Sequence, residues 1–126
     1  AGPPTLLFGT ADVTDPASWS RFVPPQANWV QQTFEHQMQP DADGMVTVAL
    51  ENRRLFGGTS LKVSYSHATL PNYIEWRMMG EGQYALGIEP CTNGFDRAKL
   101  AAEGGLITLE PGETRRYFLK VEVAGL

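Results

Sequence analysis

The chain has 126 residues, the size of one ordinary domain, and 42% of them are hydrophobic, which is enough to fill a single core. Its 10 basic and 14 acidic residues give a formal net charge of −4, which argues against a nucleic-acid-binding module because such modules normally carry a basic stripe. No apolar run approaches the length of a membrane span, and the single cysteine, Cys91, excludes an intrachain disulfide and a multi-cysteine metal site.

Residues 1–27 are predicted to form an irregular segment that packs on the rest of the domain. Residues 6–8 favour a short strand, and Asp15 followed by Pro16 favours a helical turn over residues 16–22. Residues 1–10 lack the basic start and the long apolar centre of a secretory signal peptide. We therefore expect a cytoplasmic protein.

From residue 28 to 126, apolar and polar residues alternate as they do in half-buried strands. The alternation predicts strands over residues 34–38, 45–50 and 61–65. Asp43-Gly44 predicts a hairpin turn between the first two, because glycine supplies the positive φ that such a turn needs.

The second half of the chain has the densest strand pattern. Residues 72–79 and 84–89 are predicted to pair around a turn at residues 80–83. A short helix is expected over residues 96–103, with Asn93 or Asp96 as its cap. Residues 106–109 and 114–123 are predicted to form a final hairpin around Pro111-Gly112. Seven or eight antiparallel strands with one short helix predict an all-β fold of the β-sandwich type.

The hairpin of residues 72–89 carries four charges, Glu75, Arg77, Glu81 and Glu89, among aromatic and apolar residues. A turn with an odd number of residues would place Glu75, Arg77 and Glu89 on one face beside Gly87, which would leave room for a ligand. A turn with an even number would place Arg77 on the opposite face from Glu89. The plainest interpretation is an Arg–Glu cross-strand pair on a solvated face.

Other reactive side chains are few. His36 and His67 are the only histidines, and both lie in strand-like settings typical of hydrogen-bonded structural residues. Cys91 has no activating base beside it in the sequence and is expected to be a small packed side chain. The sequence has no phosphate-binding glycine loop, no His-Glu-x-x-His and no Gly-x-Ser-x-Gly, so neither a metal nor a cofactor is expected.

Residues 75–82, Glu-Trp-Arg-Met-Met-Gly-Glu-Gly, and residues 87–90, Gly-Ile-Glu-Pro, resemble the C-terminal signature of the galactose mutarotase-like superfamily. Within that superfamily the chain is most similar to an uncharacterised aldose 1-epimerase-related family. Further similar features fall at residues 29–36, 41–44, 93–104 and 109–117, so the resemblance runs from about residue 10 to the end.

This resemblance implies a supersandwich fold, in which the concave sheet binds a sugar. In mutarotases a glutamate in a Leu/Ile-Glu-Pro setting is the general base on the anomeric hydroxyl, and Glu89 occupies the matching position. Arg77, Trp76 and Asn93 are expected to contact the sugar. The family's general acid is an upstream histidine, and neither histidine of this chain has that setting.

The sequence therefore predicts a carbohydrate-binding, aldose 1-epimerase-like domain that holds at most one half of the acid–base pair. At this length it resembles the C-terminal part of a larger supersandwich, either as a fragment or as a naturally short chain, and the chain alone is expected to be inactive. The alternative is a non-catalytic carbohydrate-binding or accessory β-sandwich. The expected partner is a sugar, with no nucleic acid and no membrane, and unpaired sheet edges would favour self-association.

Overall fold

The computed structural model describes residues 2–126, which form two antiparallel sheets. The strands are β1 Thr5–Phe8, β2 Gln32–His36, β3 Met45–Asn52, β4 Thr59–Ser66, β5 Asn72–Gly80, β6 Gln83–Cys91 and β7 Leu119–Gly125. The helices are α1 Ala17–Ser20 and α2 Arg97–Ala102, and Leu55–Gly57 forms a single 3₁₀ turn. One sheet has the strand order β1-β2-β5-β6 and the other β3-β4-β7. The predicted all-β, antiparallel β-sandwich is confirmed.

The core lies between the two sheets, and we call the sides of the sheets that point toward it the inner faces. Its buried members include the cluster of Val46, Tyr65, Leu70 and Tyr73. The rings of Tyr65 on β4 and Tyr73 on β5 stack across the gap, with centroids 6.4 Å apart and planes at 14°. This contact ties the central strands of the two sheets together.

The β5–β6 hairpin closes through a two-residue turn, Glu81-Gly82, in which Gly82 has a φ of 77°. Gly80 pairs with Gln83, and the register continues to Asn72 opposite Cys91. The turn therefore has an even number of residues, which is one of the two alternatives that the sequence left open. As a result, the side chains of odd-numbered residues of β5 and those of odd-numbered residues of β6 point to opposite faces.

The predicted hairpin at Asp43-Gly44 is wrong in its pairing, although the tight turn itself is present. Gly44 has a φ of 76°, and the Asp41 carboxylate accepts hydrogen bonds from the backbone N–H groups of Asp43 and Met45 at 3.0 and 2.9 Å. However, β2 already pairs with β1 on one edge and β5 on the other, so β3 cannot pair with it. The turn carries the chain from one sheet to the other.

The predicted final hairpin is also wrong. Residues 106–109 form no strand, and only the later half of the pattern becomes β7, which pairs with β4. The backbone of Ile107 is instead bound at both its N–H and its C=O by the side-chain amide of Asn93, at 2.8 and 3.1 Å. Because these groups are already bound, they are not free for a β ladder with the end of the chain.

The two short helices lie where the sequence predicts helical turns. Pro16 immediately precedes α1, one position before the first helical position that the sequence predicted for it. The carboxylate of Asp96 accepts a hydrogen bond from the backbone N–H of Lys99 at 2.9 Å and so caps α2, and Gly104 follows with a φ of 70°. Within residues 2–126, no helix has both the length and the apolar character needed to cross a membrane.

Candidate functional site

The candidate site lies on the outer face of the four-stranded sheet, which we call the Glu89 face. Side chains alternate along a strand, so the register of β2, β5 and β6 fixes which residues share this face. They include Thr33, Glu35, Asn72, Ile74, Trp76, Gly87, Glu89 and Cys91. This set contains Glu89 and Trp76, two of the four residues expected to contact or act on the sugar.

Glu35 joins Glu89 on this face, although the sequence did not single it out. On β2 it lies opposite Ile74 of β5, and on β6 Glu89 lies opposite the same Ile74. Two strand spacings place the Cα atoms of the two glutamates roughly 10 Å apart. Glu35 is half-buried and Glu89 is exposed. The face therefore presents two carboxylates at the same height on either side of one apolar side chain.

Trp76 and Gly87 lie opposite each other beside Glu89. A methyl group on Gly87 would collide with the Glu89 carboxylate and would lie 3.2 Å from Cβ of Trp76. The room at Gly87, predicted for a ligand, is thus occupied by the side chain of Glu89. The indole N–H of Trp76 donates to the side-chain oxygen of Gln31 at 2.9 Å, which holds the half-buried ring beside this carboxylate.

The chain that follows β6 passes over the other end of the face. A methyl group on Gly94 would lie 2.9 Å from Oε1 of Glu35 and 3.7 Å from Oδ1 of Asn72. The Asn72 side chain donates to the backbone C=O of Thr92 at 3.0 Å. Gly94 therefore allows the loop to lie close against Glu35, which explains why this glutamate is less exposed than Glu89.

The electrostatics of this end are negative. Burial raises the pKa of the Cys91 thiol, and the charges of Glu35 and Glu89 raise it further, while Arg97 acts in the opposite direction. Both carboxylates therefore disfavour the ionised form of the same group, the Cys91 thiol. The thiol is held in its protonated form, which is the less nucleophilic one.

Arg77 lies on the inner face, away from Glu89, because of the even-numbered turn. It is 1% exposed, and its guanidinium donates hydrogen bonds to the backbone C=O groups of Ser18 and Arg21. The ring of Phe22 lies 5.1 Å from the guanidinium carbon. Burial lowers the pKa of Arg77, and the nearby Glu75 offsets part of this effect. Arg77 thus holds the α1 segment on the sheet and does not reach the Glu89 face.

Glu75 and His36 complete an inner polar cluster with Arg77. Nε2 of His36 lies 2.9 Å from Oε2 of Glu75, and Nε of Arg77 lies 3.6 Å from Oε1 of the same glutamate. Trp19 packs edge-on against the His36 ring, with centroids 5.5 Å apart. The other histidine, His67, follows β4 in the second sheet, so neither histidine lies on the Glu89 face.

Asn93 lies just after β6 and was expected to contact the sugar. Both ends of its amide bind the backbone of Ile107, as described above. Its hydrogen-bonding groups are therefore engaged in holding the loop, and the structure brings only Glu89 and Trp76 of the four expected residues together.

A cleft of about 1220 Å³ lies between the two sheets, on the inner side. Its lining includes the aromatic rings of Trp19, Phe22, Tyr73 and Tyr84. His36 and Glu75 also line it, but they are bonded to each other, and Glu89 is not part of it. The α1 segment, β3 and β6 all contribute side chains to the lining of this cleft. Among residues 2–126, no three His, Cys, Asp or Glu side chains are grouped so that they could hold a metal ion.

A family model described as "Domain of unknown function (DUF4432)" matches residues 8–123. No curated protein matches the chain. No solved structure matches it either.

Proposed function

The chain belongs to the DUF4432 family, and we propose that it is an aldose 1-epimerase-like domain that binds a monosaccharide on the Glu89 face. Glu89 would be the general base for the anomeric hydroxyl in the complete protein. The observation that supports this most is the common register of Glu35, Glu89 and Trp76 on one face of the sheet.

The chemistry of this face suits a sugar. An ionised carboxylate accepts hydrogen bonds only, and sugar hydroxyls can donate to it. Two glutamates whose Cα atoms lie roughly 10 Å apart can therefore bind a sugar from both sides. An aromatic ring offers a flat apolar surface to the C–H side of a sugar ring, and Trp76 stands next to Glu89. Asn72 adds an amide at the same face.

In the proposed reaction, Glu89 takes the proton of the anomeric hydroxyl while the bond between the anomeric carbon and the ring oxygen breaks. The ring oxygen receives a proton from a general acid, and the open-chain aldehyde rotates and closes again from its other side. No histidine of this chain lies on the Glu89 face. The acid must therefore come from another group, and the chain alone should bind a sugar without appreciable mutarotation.

The second candidate is a non-catalytic carbohydrate-binding β-sandwich. The position of His36 in the interior and of His67 just after β4 of the other sheet favours it, because the face then has a base without the acid used by mutarotases. It predicts saturable sugar binding that depends on Trp76 more than on Glu89. It also predicts that the rate of mutarotation measured with the complete protein is the same for the wild type and for Glu89→Gln.

Titration with a panel of monosaccharides tests the binding part of the proposal. We expect saturable binding to the wild type and a loss of about tenfold or more in affinity for Trp76→Ala and for Glu89→Gln. Glu81→Gln, an exposed glutamate in the turn of the same hairpin, is the matched control and should bind like the wild type. Equal affinity of the Glu89→Gln and Glu81→Gln variants would exclude Glu89 from the site.

Polarimetry on the complete protein tests the catalytic part. We expect Glu89→Gln to abolish the acceleration of mutarotation while leaving part of the sugar binding, because an amide cannot accept the proton. An unchanged rate would remove Glu89 as the general base and would leave the non-catalytic candidate.

A further inference from the structure

One edge of the second sheet is open and apolar. β7 pairs with β4 along one side, and no strand among residues 2–126 pairs with its other side. Leu119, Val121 and Val123 point to the same face as the buried Val63 and Tyr65, yet they are 56%, 62% and 72% exposed. Open edges of natural sheets are normally protected, because their free N–H and C=O groups attract other strands.

The opposite face of β7 carries a pair of charges. Nζ of Lys120 lies 2.9 Å from Oε1 of Glu122, and both side chains are substantially exposed. Glu122 also lies opposite Lys62 of β4. On this outer face, Glu122 therefore lies next to two positive charges, those of Lys62 and Lys120, and both charges of β7 lie at the open edge.

We infer that β7 pairs with β7 of a second copy of this chain, antiparallel and with Val121 on the two-fold axis. In this register Lys120 lies opposite the partner's Glu122, and Glu122 lies opposite the partner's Lys120. Each of these two charges, which are paired within their own strand, thus also meets an opposite charge across the interface. The next register, centred on Glu122, would place Glu122 against the partner's Glu122 and Lys120 against the partner's Ala124, so the charges select the first.

The same register also suits the apolar side. Leu119 lies opposite the partner's Val123, and the two copies of Val121 face each other, which gives three apolar cross-strand pairs. The two three-stranded sheets become one six-stranded sheet, and the free backbone groups of both edges are bound. A single strand pair is a small interface, so the dimer forms reversibly and depends on concentration. It does not depend on the sugar site, which lies in the other sheet.

Sedimentation over a range of chain concentrations tests this pairing. The wild type approaches the mass of two chains as concentration rises. Lys120→Glu and Glu122→Lys each place two like-charged pairs across the interface, so each alone raises the dissociation constant at least about tenfold. An equal mixture of the two variants restores opposite charges in both pairs, and it forms a heterodimer with an affinity close to that of the wild type.

Lys99→Glu is the matched control, because Lys99 and Lys120 have equal side-chain exposure, 68%, and both lie within 4 Å of a glutamate. It makes the same change of charge on α2 and leaves the dimer unaffected. Recovery in the mixture also shows that both variants fold. A wild type that stays monomeric at every concentration contradicts the inference, and so does a mixture that associates no better than either variant alone.

Discussion

Glu35 and Glu89 lie on one face of the four-stranded sheet, at the same height on the two strands that flank β5. Arg77, which lies next to Trp76 in the sequence, points to the opposite face and is bound to the α1 segment. Because the turn of the β5–β6 hairpin has two residues, Glu89 shares a face with Trp76 and not with Arg77. The candidate site is consequently made of two carboxylates and an indole, without the arginine.

Glu35→Gln should weaken sugar binding by about tenfold, because a neutral amide replaces a carboxylate and a charge-assisted hydrogen bond is roughly twice as strong as a neutral one. Glu35 is half-buried beneath Gly94, and glutamine has nearly the same shape, so the fold should be retained. Calorimetric titration of the preferred monosaccharide measures the effect. The exposed Glu81→Gln variant is again the control, and an affinity equal to that control would place Glu35 outside the site.

Arg77→Met should lower the free energy of unfolding by about 3–5 kcal/mol, because it leaves Glu75 buried without its cation. Glu75 keeps its contact with His36, but the substitution also removes the donors to the backbone C=O groups of Ser18 and Arg21. Urea denaturation measures the loss. Arg115→Met is the control, since Arg115 forms an exposed ion pair with Glu113 and its removal should cost less than about 1 kcal/mol.

The same Arg77→Met variant separates a structural role from a binding role. Under conditions in which it remains folded, its affinity for the sugar should equal that of the wild type, since Arg77 does not reach the Glu89 face. A folded variant that loses sugar binding while keeping its stability would contradict this assignment.

The parts of the fold that the sequence predicted correctly depend on neighbours in the chain. Alternation over residues 72–79 and a glycine at position 82 are local signals, and β5, β6 and their turn follow from them. Asp96 as the cap of α2 is equally local. Each of these features is determined by a few residues that are adjacent in the sequence.

The parts that the sequence did not predict depend on which strand edges remain free. Glu35 joins the site only because β2 pairs with β5, and nothing near Glu35 in the sequence specifies that pairing. Likewise, β7 pairs with β4 and not with residues 106–109, which form no strand and whose Ile107 backbone is bound to Asn93. Asn93 itself has the polar character of a binding residue, and only the structure shows that Ile107 uses both ends of its amide.

Tyr65→Phe should make the fold more resistant to alkali. Burial raises the pKa of Tyr65 to about 12, and its buried hydroxyl has no hydrogen-bond partner among the described residues. In the unfolded chain a tyrosine ionises near pH 10. Between about pH 10 and about pH 12 the unfolded state therefore loses a proton that the folded state keeps, and stability falls as pH rises, by roughly 2 kcal/mol over that window.

Urea midpoints of the wild type and of Tyr65→Phe at about pH 8 and about pH 11 measure this effect. The variant should be at least as stable at neutral pH, since it removes an unsatisfied buried hydroxyl, and it should lose less on going to alkaline pH. Some alkaline loss should remain, because burial also raises the pKa of Tyr73. Tyr117→Phe, at an exposed position, should behave like the wild type. An equal alkaline loss in all three proteins would contradict the prediction.

The most direct test of the sugar site is an NMR titration of the isotope-labelled chain with the monosaccharide that binds best. We predict that the resonances of the Trp76 indole N–H and of the Gly87 and Glu89 amides shift in a saturable way. Resonances of Leu50 and Tyr84, which line the cleft between the sheets, should stay in place. Shifts confined to the cleft residues, or no saturable shift with any sugar, would contradict the assignment of sugar binding to the Glu89 face.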